Sequence, residues 1–538
     1  MFTTSYFQLG FIPKALFLER LSKDDHAIST FLLVCILAIS ARFTPALVSR
    51  YGSAASATAY FLSMASGYVA EEMYEPSLQR IQAFFLLSIA QWGNGDKHRS
   101  IIHMGIAVKM AAILGLHREE TYHLAEHASR DEVVDAEAAR RTFWMIQSQD
   151  NLHSGHKTPV SFSHADITAL LPCDESEFAF GRVPRFRAAL HDTPPALREP
   201  DRVSPPDRSL FATLIQAHNL WGIVARRACK TEEDLAGVTT APAEPASEYR
   251  QLADRLRHWE QTLSSQHRWS VWNLRGYKTE SLELAYLAIV MVVRLSNIVL
   301  RRTYMEDLIA ASHSNFDAST IANAEFWQTM AHELFANVLE LHEQIDAYFP
   351  LRLKEDGFPA VLAFCVYICG SAAAHLWRWP SLCPHAASEA ETMATQSLAV
   401  LSELQHAWPT ASRWQQGLRS VTTPASESGP SPAAVANASR VSRSYMPTYG
   451  NDHATGHANN HQPVQVFGGQ DLLEANDAAG TCDLRQDLPM RAGASGTTAR
   501  SLHLGDDSIG AFEAELAALL QGDLNAGFYD GWELPASF

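Results

Sequence analysis

Apolar residues recur every three to four positions through most of the first 420 residues. Ile101, Met104, Val108, Ala111 and Leu114 show the pattern, which places one apolar stripe along a helix. Gly115 then stands where a left-handed C-terminal cap belongs. The same spacing predicts helices over 28–43, 54–71, 77–91, 99–114 and 131–149, then 207–230, 248–263, 280–304, 322–348, 359–377 and 387–408. Pro76 and Asp207 lie near two of the expected starts. No succession of alternating strands occurs, so a parallel sheet is disfavoured and the fold class read here is all-α. Two proline-rich stretches, 193–206 and 241–245, read as excursions between helical layers.

The pattern fades near residue 420. From 421 to 500 Ala, Ser, Gly, Thr, Pro and Asn dominate, and such a segment buries too little to offset its ordering entropy. The expected organisation is therefore a helical body over 1–420, a disordered linker over 421–500 and a tail over 501–538. The tail has no Lys or Arg after Arg500 and carries seven acids, Asp506, Asp507, Glu513, Glu515, Asp523, Asp530 and Glu533. Phe512, Leu516, Leu519 and Leu520 make a helical stripe ended by Gly522, and Phe528, Tyr529 and Trp532 follow among the acids. Acids that keep aromatics in water, next to a short amphipathic helix, suit a transcriptional activation segment that docks into a coactivator groove. The alternative is a terminal helix that packs on the body.

Charge narrows the function. The 538 residues carry a formal charge of −17, and the basic doublets Arg140-Arg141, Arg226-Arg227 and Arg301-Arg302 are isolated. A chain this acidic gains little from phosphate neutralisation, which dominates nucleic-acid affinity, so autonomous DNA binding is not expected. Seven scattered cysteines read as reduced thiols, not as a disulfide framework. The longest apolar runs, 31–39 and 284–293, are shorter than the roughly 20 residues of a membrane helix, so no membrane partner is expected.

Chemistry is harder to find. Cys365 and Cys369 share a helix face, but their apolar surroundings favour buried, inert thiols. His453, His457 and His461 recur every four residues in a Gly- and Asn-rich stretch that disfavours a helix, and read as polar linker. His153 and His156 beside Asp150 read as loop residues that satisfy the backbone. Asp24-Asp25 belongs to no metal-binding acid motif and reads as a helix N-cap. The chain has no H-E-x-x-H, G-x-S-x-G, phosphate-binding glycine loop or dinucleotide fingerprint. Neither a catalytic residue nor a cofactor is expected.

One stretch goes further. In 137–172, Arg140-Arg141-x-Phe143-Trp144 is followed by Asp150, Ser154, Gly155, Pro159, Asp166-Ile167 and Leu171-Pro172, and upstream stands Leu114-Gly115-Leu116-His117-Arg118. Composition alone reads Glu137 and Arg141 as a solvated i,i+4 pair on an amphipathic helix, worth a few tenths of a kcal/mol. The order and spacing of the whole set, however, resemble the regulatory (middle homology) domain of fungal-specific transcription factors of the binuclear zinc cluster type. The likeness is loose over 28–408 and close over 101–172. It implies that the arginines and the aspartate hold the domain together, and Asn151 departs from it where an arginine is common.

The resemblance also implies a nuclear regulator of RNA polymerase II genes in a fungal metabolic or secondary-metabolite pathway, working through coactivators and as a homo- or heterodimer. The family's six-cysteine zinc cluster is absent from these residues, so zinc is not expected as a cofactor. DNA contact then falls to a missing N-terminal module or to a partner. The alternatives are a helical co-regulator that never touches DNA, and a helical enzyme or ligand carrier.

Overall fold

A computed structural model describes residues 6–24, 26–153, 159–230, 241–313, 321–353 and 356–422. The linker expected from 421 falls outside these residues except at 421 and 422, and so does the whole tail. Helices account for the regular structure, and no strand occurs among the described residues.

Six helices form the first part: α1 (Lys14–Lys23), α2 (Thr30–Ser40), α3 (Pro45–Tyr51), α4 (Ala54–Glu72), α5 (Leu78–Gly93) and α6 (Lys97–Ile113). The long α7 (Arg130–His153) follows, then the short α8 (Glu175–Phe180) and α9 (Pro194–Arg198), then α10 (Leu210–Ala228). The rest comprises α11 (Glu248–Gln261), α12 (Val271–Thr279), α13 (Glu283–Arg302), α14 (Met305–His313), α15 (Ile321–Tyr348), α16 (Ala360–Arg378), α17 (Pro384–Ala387), α18 (Ala390–Leu404) and α19 (Ala411–Thr422).

Helix starts are set by side-chain caps, because the first amides of a helix have no acceptor within it. The hydroxyls of Ser29, Ser77 and Ser209 accept from the amides of Leu32, Arg80 and Ala212 at 3.2, 3.3 and 3.0 Å. The caps Ser77 and Ser209 thus follow Pro76 and Asp207 closely, and the helices begin at Leu78 and Leu210. Asp24 was expected as a cap and is not one: it follows the end of α1 and accepts from the His26 amide at 2.9 Å, while Ser29 caps the next helix. The neighbouring Asp25 lies outside the described residues. At the end of α6 Gly115 takes φ +66°, the Leu116 amide reaches the Ala111 carbonyl at 3.0 Å and the Gly115 amide reaches Ala112 at 3.1 Å. A side chain there would be strained, and the turn sends the chain back across α7.

Packing joins the early and late helices. α2 lies against α4 and α5, α5 against α6, and α7 against α10. α10 packs on α13, α13 on α15 and α16, and α16 on α18 and α19. One continuous core runs from Tyr6 to Leu418. α13 and α16 are long and apolar enough to cross a bilayer, which the short apolar runs in the sequence understate. In this fold 94% and 89% of those stretches are enclosed by other helices, as expected of a helix apolar all round at the centre of a bundle.

Trp408 closes the core. It follows α18, its indole N–H donates to the Phe358 carbonyl, and Arg42 lies 4.2 Å over its ring. Gly93, the last residue of α5, supports the same ring, and a Cβ there would fall 2.0 Å from it.

Candidate functional site

The residues singled out in α7 lie inside the protein. Glu137, Arg140 and Arg141 occupy the same side of the helix as Trp144, at i, i+3, i+4 and i+7. Arg141 is fully buried and Glu137 is 2% exposed, so theirs is no solvated surface pair. The Arg141 guanidinium donates to Glu137 at 3.1 Å, to the carbonyls of Cys173 and Gly10 at 2.9 and 3.2 Å, and to Glu175. The rings of Phe178 and Phe211 face it at 4.2 and 4.9 Å. Arg140 grips Glu119 with two nitrogens at 2.6 and 2.7 Å, donates to the Leu170 carbonyl at 2.9 Å and lies 4.1 Å over Tyr122.

Arg187 completes the set through Glu137, at 2.7 Å. Arg140, Arg141 and Arg187 therefore face Glu119, Glu137 and Glu175, three charges against three. Burial pushes the Glu137 carboxyl up, but Arg187, Arg141 and Arg140 outweigh it and hold the group below its ordinary range. The knot fastens four segments to α7: the N-terminal turn at Gly10, the turn after α6, the 170–175 strap and the loop at Arg187.

The remaining signature residues surround this knot. Phe143 and Trp144 are fully buried, and the Trp144 indole donates to Leu170 at 2.8 Å. The His117 carbonyl accepts from Thr168 and Ala169 at 3.0 and 3.1 Å, and its ring lies 5.4 Å from Phe162. Leu171 is buried and donates its amide to Ala188 at 2.8 Å, and the Pro172 carbonyl accepts from Ser209 at 2.8 Å. Leu114 and Arg118 are exposed on the capped turn, and Pro159 is exposed on its loop. Asp150 accepts from the Ser161 amide at 2.6 Å, and burial pushes its carboxyl up against the pull of Ser161 and Arg226. Ser154 and Gly155 lie outside the described residues, as do Phe512, Leu516, Leu519, Leu520, Phe528, Tyr529 and Trp532.

At Asn151 a second helix supplies a guanidinium. Arg226 of α10 donates to the Asn151 carbonyl oxygen at 3.2 Å. Gly222 allows this approach, since a Cβ there would come within 2.3 Å of the same oxygen.

The fold also forms two large cavities. One of about 950 Å³ is walled by Leu190, Leu220, Val203 and Trp259, with Asp192 and Arg255 at its edge. Asp192 holds φ +66° and pairs with Arg255 at 2.8 Å, a strained conformation stabilised by an ion pair. The other is a trench of about 1310 Å³ between the N-terminal segment, α8, the start of α10 and α12, with Arg208 and His267 in its wall.

Residues 2–259 match the family model described as the fungal specific transcription factor domain. Residues 2–259 therefore form a domain of that family. Similar proteins include an uncharacterized transcriptional regulatory protein of Schizosaccharomyces pombe, 27% identical over 295 residues, or 51% of this chain and 41% of that protein. A second uncharacterized transcriptional regulatory protein of the same yeast is 27% identical over 162 residues, 29% of this chain and 17% of its own. A Zn(2)-C6 fungal-type transcription factor of Fusarium oxysporum f. sp. lycopersici is 26% identical over 265 residues, 48% of this chain and 28% of its own. The chain thus spans less than half the length of each of these relatives. No solved structure matches it.

The knot lies within the matched residues, and the two cavities extend past residue 259, to Thr262 in one and to Ala285 in the other. Among the described residues no group of three or more potential metal ligands converges. Cys365 and Cys369 are fully buried in α16, and burial pushes both thiols up, Cys369 to about 12. His153 stacks on Trp92 at 4.7 Å, and burial lowers its pKa to about 3, so the ring is neutral. His156, His453, His457 and His461 lie outside the described residues. The sequence reading missed Glu119, Glu175, Arg187, Arg226 and Arg208 as partners or pocket residues. Glu119, Glu175, Arg187 and Arg226 act across long stretches of chain, and Arg208, whose partners Val203, Thr213 and Gln216 are near in sequence, sits in no recognisable pattern.

Proposed function

We propose that the protein regulates RNA polymerase II transcription in the nucleus, with the helical body as its regulatory domain and the tail as its activation segment. The observation that carries this reading is the family match over residues 2–259, supported by relatives whose names describe transcriptional regulators. Chemistry plays no part in it: the knot's charges are spent on one another and on backbone carbonyls.

DNA contact, in this reading, comes from outside these 538 residues, through a zinc cluster module or a partner. The support is electrostatic and compositional: a net charge of −17 and no six-cysteine cluster. A homodimer or heterodimer with a cluster-bearing relative would supply that contact. The tail's aromatic residues Phe528, Tyr529 and Trp532, beside the stripe of Phe512, Leu516, Leu519 and Leu520, suit a coactivator groove. A metabolic or secondary-metabolite pathway is the proposed target.

The test is a fusion of the full chain to an unrelated DNA-binding domain, read on a reporter gene. Activation that disappears on deleting 501–538, and weakens in the Phe528→Ala, Trp532→Ala double variant, is the expected result. A stably expressed but inert fusion overturns the activator reading, and full output from the double variant removes the aromatic mechanism.

A further inference from the structure

Arg208 differs from the buried arginines Arg42, Arg140, Arg141 and Arg301. It is 6% exposed, and it forms no ion pair with any carboxylate among the described residues. Arg140, Arg141 and Arg301 each hold one. Arg42 also lacks an acid, but it lies on the face of Trp408 and donates to the Ala90 carbonyl at the C-terminal end of α5, where a helix favours a cation. Arg208 stands at the opposite kind of helix end. It immediately precedes Ser209, the N-cap of α10, so the helix adds positive potential to an uncompensated cation.

What holds Arg208 is neutral. Its Nε donates to the Thr213 hydroxyl at 3.0 Å, and its Nη1 donates to the Val203 carbonyl at 3.2 Å and to Gln216 Oε1 at 2.7 Å. Its Nη2 has no acceptor among the described residues. Each acceptor of Arg208 also has a second hydrogen-bond partner. Val203 accepts from Gln216 Nε2 at 2.8 Å, Gln216 Oε1 accepts from the Trp259 indole at 3.1 Å, and Thr213 bonds His267 Nδ1 at 2.9 Å. Removing the guanidinium would leave none of these groups unsatisfied, so the local structure has no need of the charge. Burial alone lowers the Arg208 pKa to about 10, still charged at neutral pH.

A buried cation held open by neutral groups is the form of an anion receptor. Arg208 lines the trench of about 1310 Å³, whose wall also contains the apolar surfaces of Phe211, Tyr277, Leu282 and Ala285. Asp174 and Asp207 line the same trench but neither pairs with the guanidinium. In the rest of its wall the carboxylates of Glu19, Asp131, Glu175 and Glu280 outnumber the cations Lys14 and Arg130, so a second anionic group is disfavoured. One anionic head with an uncharged, apolar body fits this distribution.

We propose that the trench binds a small organic monocarboxylic acid, with its carboxylate on Arg208 Nη2 and the first turn of α10 and its body along Phe211 and Tyr277. The site does not depend on what the tail does, so a failed activation assay leaves it standing, and its own failure leaves the transcriptional reading intact.

The experiment uses the purified full chain, with octanoate as probe, octanol as the uncharged control and inorganic phosphate as the bodiless anion. Calorimetric titration and thermal unfolding are the readouts. Octanoate binds and raises the midpoint of unfolding, octanol and phosphate do so at least about tenfold more weakly, and Arg208→Met abolishes the octanoate response. Arg208→Lys, which keeps the charge and loses the fork, retains a weakened response. No response of the folded wild type to octanoate overturns the proposal, as does unchanged octanoate binding by Arg208→Met. Phosphate binding as tight as octanoate overturns the organic-acid assignment. Should Arg208→Met fail to fold, Thr213→Val, which removes the acceptor that aims Nε, takes its place: about tenfold weaker binding supports the site and unchanged binding sinks it.

Discussion

Two buried arginine centres in this protein solve the desolvation of charge in opposite ways. In the knot on α7, three guanidiniums meet three carboxylates and several backbone carbonyls, so each charge is neutralised where it is buried. At Arg208 the charge is buried among a hydroxyl, an amide and a carbonyl, and one nitrogen is left over. Taking an ion from water costs several kcal/mol even after relaxation. A paired centre recovers that cost within the fold, whereas an unpaired one recovers it only from something that arrives later. The first arrangement suits structure and the second suits recognition.

Mutations can break this comparison, and the largest effects belong to the knot. Arg141→Met leaves Glu137 and Glu175 facing an apolar side chain, and should cost about 3–5 kcal/mol in urea denaturation. Trp144→Ala should cost about 3–5 kcal/mol by opening a cavity under Leu170. A near-normal midpoint for either variant would mean that the knot does not hold the body together.

The two centres also separate along the pH axis. Burial, then Arg208, lower the His267 pKa to about 4 from an ordinary 6.5. The unfolded chain therefore binds the extra proton first, and the stability from neutral His267 is lost as pH falls from 6.5 towards 4. Its share is about 1.4 kcal/mol per pH unit in that window, and His267→Gln should remove that slope. Glu137 acts lower. Its carboxyl is depressed in the fold, so its contribution is complete above the ordinary value of 4.5 and declines as pH falls through the folded pKa. Glu137→Gln should flatten the curve only below that point. Identical pH profiles for the two variants would erase the distinction.

The smallest expected change is the most discriminating. Arg208→Met, without ligand, should leave stability unchanged or raise it by about 1 kcal/mol, since a buried uncompensated charge is replaced by an apolar chain. A loss comparable to that of Arg141→Met would place Arg208 with the structural arginines instead.

The helices of this protein are written in local patterns, and its sites are not. The stripe on α6 and the glycine at 115 are read within a single window, because a helix repeats every 3.6 residues and a left-handed cap needs Gly. Two helices, expected from 77 and 207, begin later, at Leu78 and Leu210, because Ser77 and Ser209 supply the caps. Helices α1, α3, α8, α12, α14, α17 and α19 were missed, being short and fixed by tertiary packing. The stretch 193–206, read as an excursion, holds the short α9 and walls the smaller cavity. Glu137 and Arg141 could be paired from their spacing, but their burial could not, since the strap at 170–175 covers them from 30 residues away. Arg208 has no signal in the sequence at all: what marks it is a partner it lacks.

The seating of α10 on α13, and of Trp408 on Gly93, has a practical consequence. Residue 259, where the family match stops, falls inside α11. An expression boundary drawn there would strip α10 of the helix that covers it and leave an indole-shaped notch at the end of α5 open to water. The stretch that the family match covers is therefore shorter than the unit that folds. A shortened version meant for crystallisation or partner screening should retain the sequence through the last turn of α19.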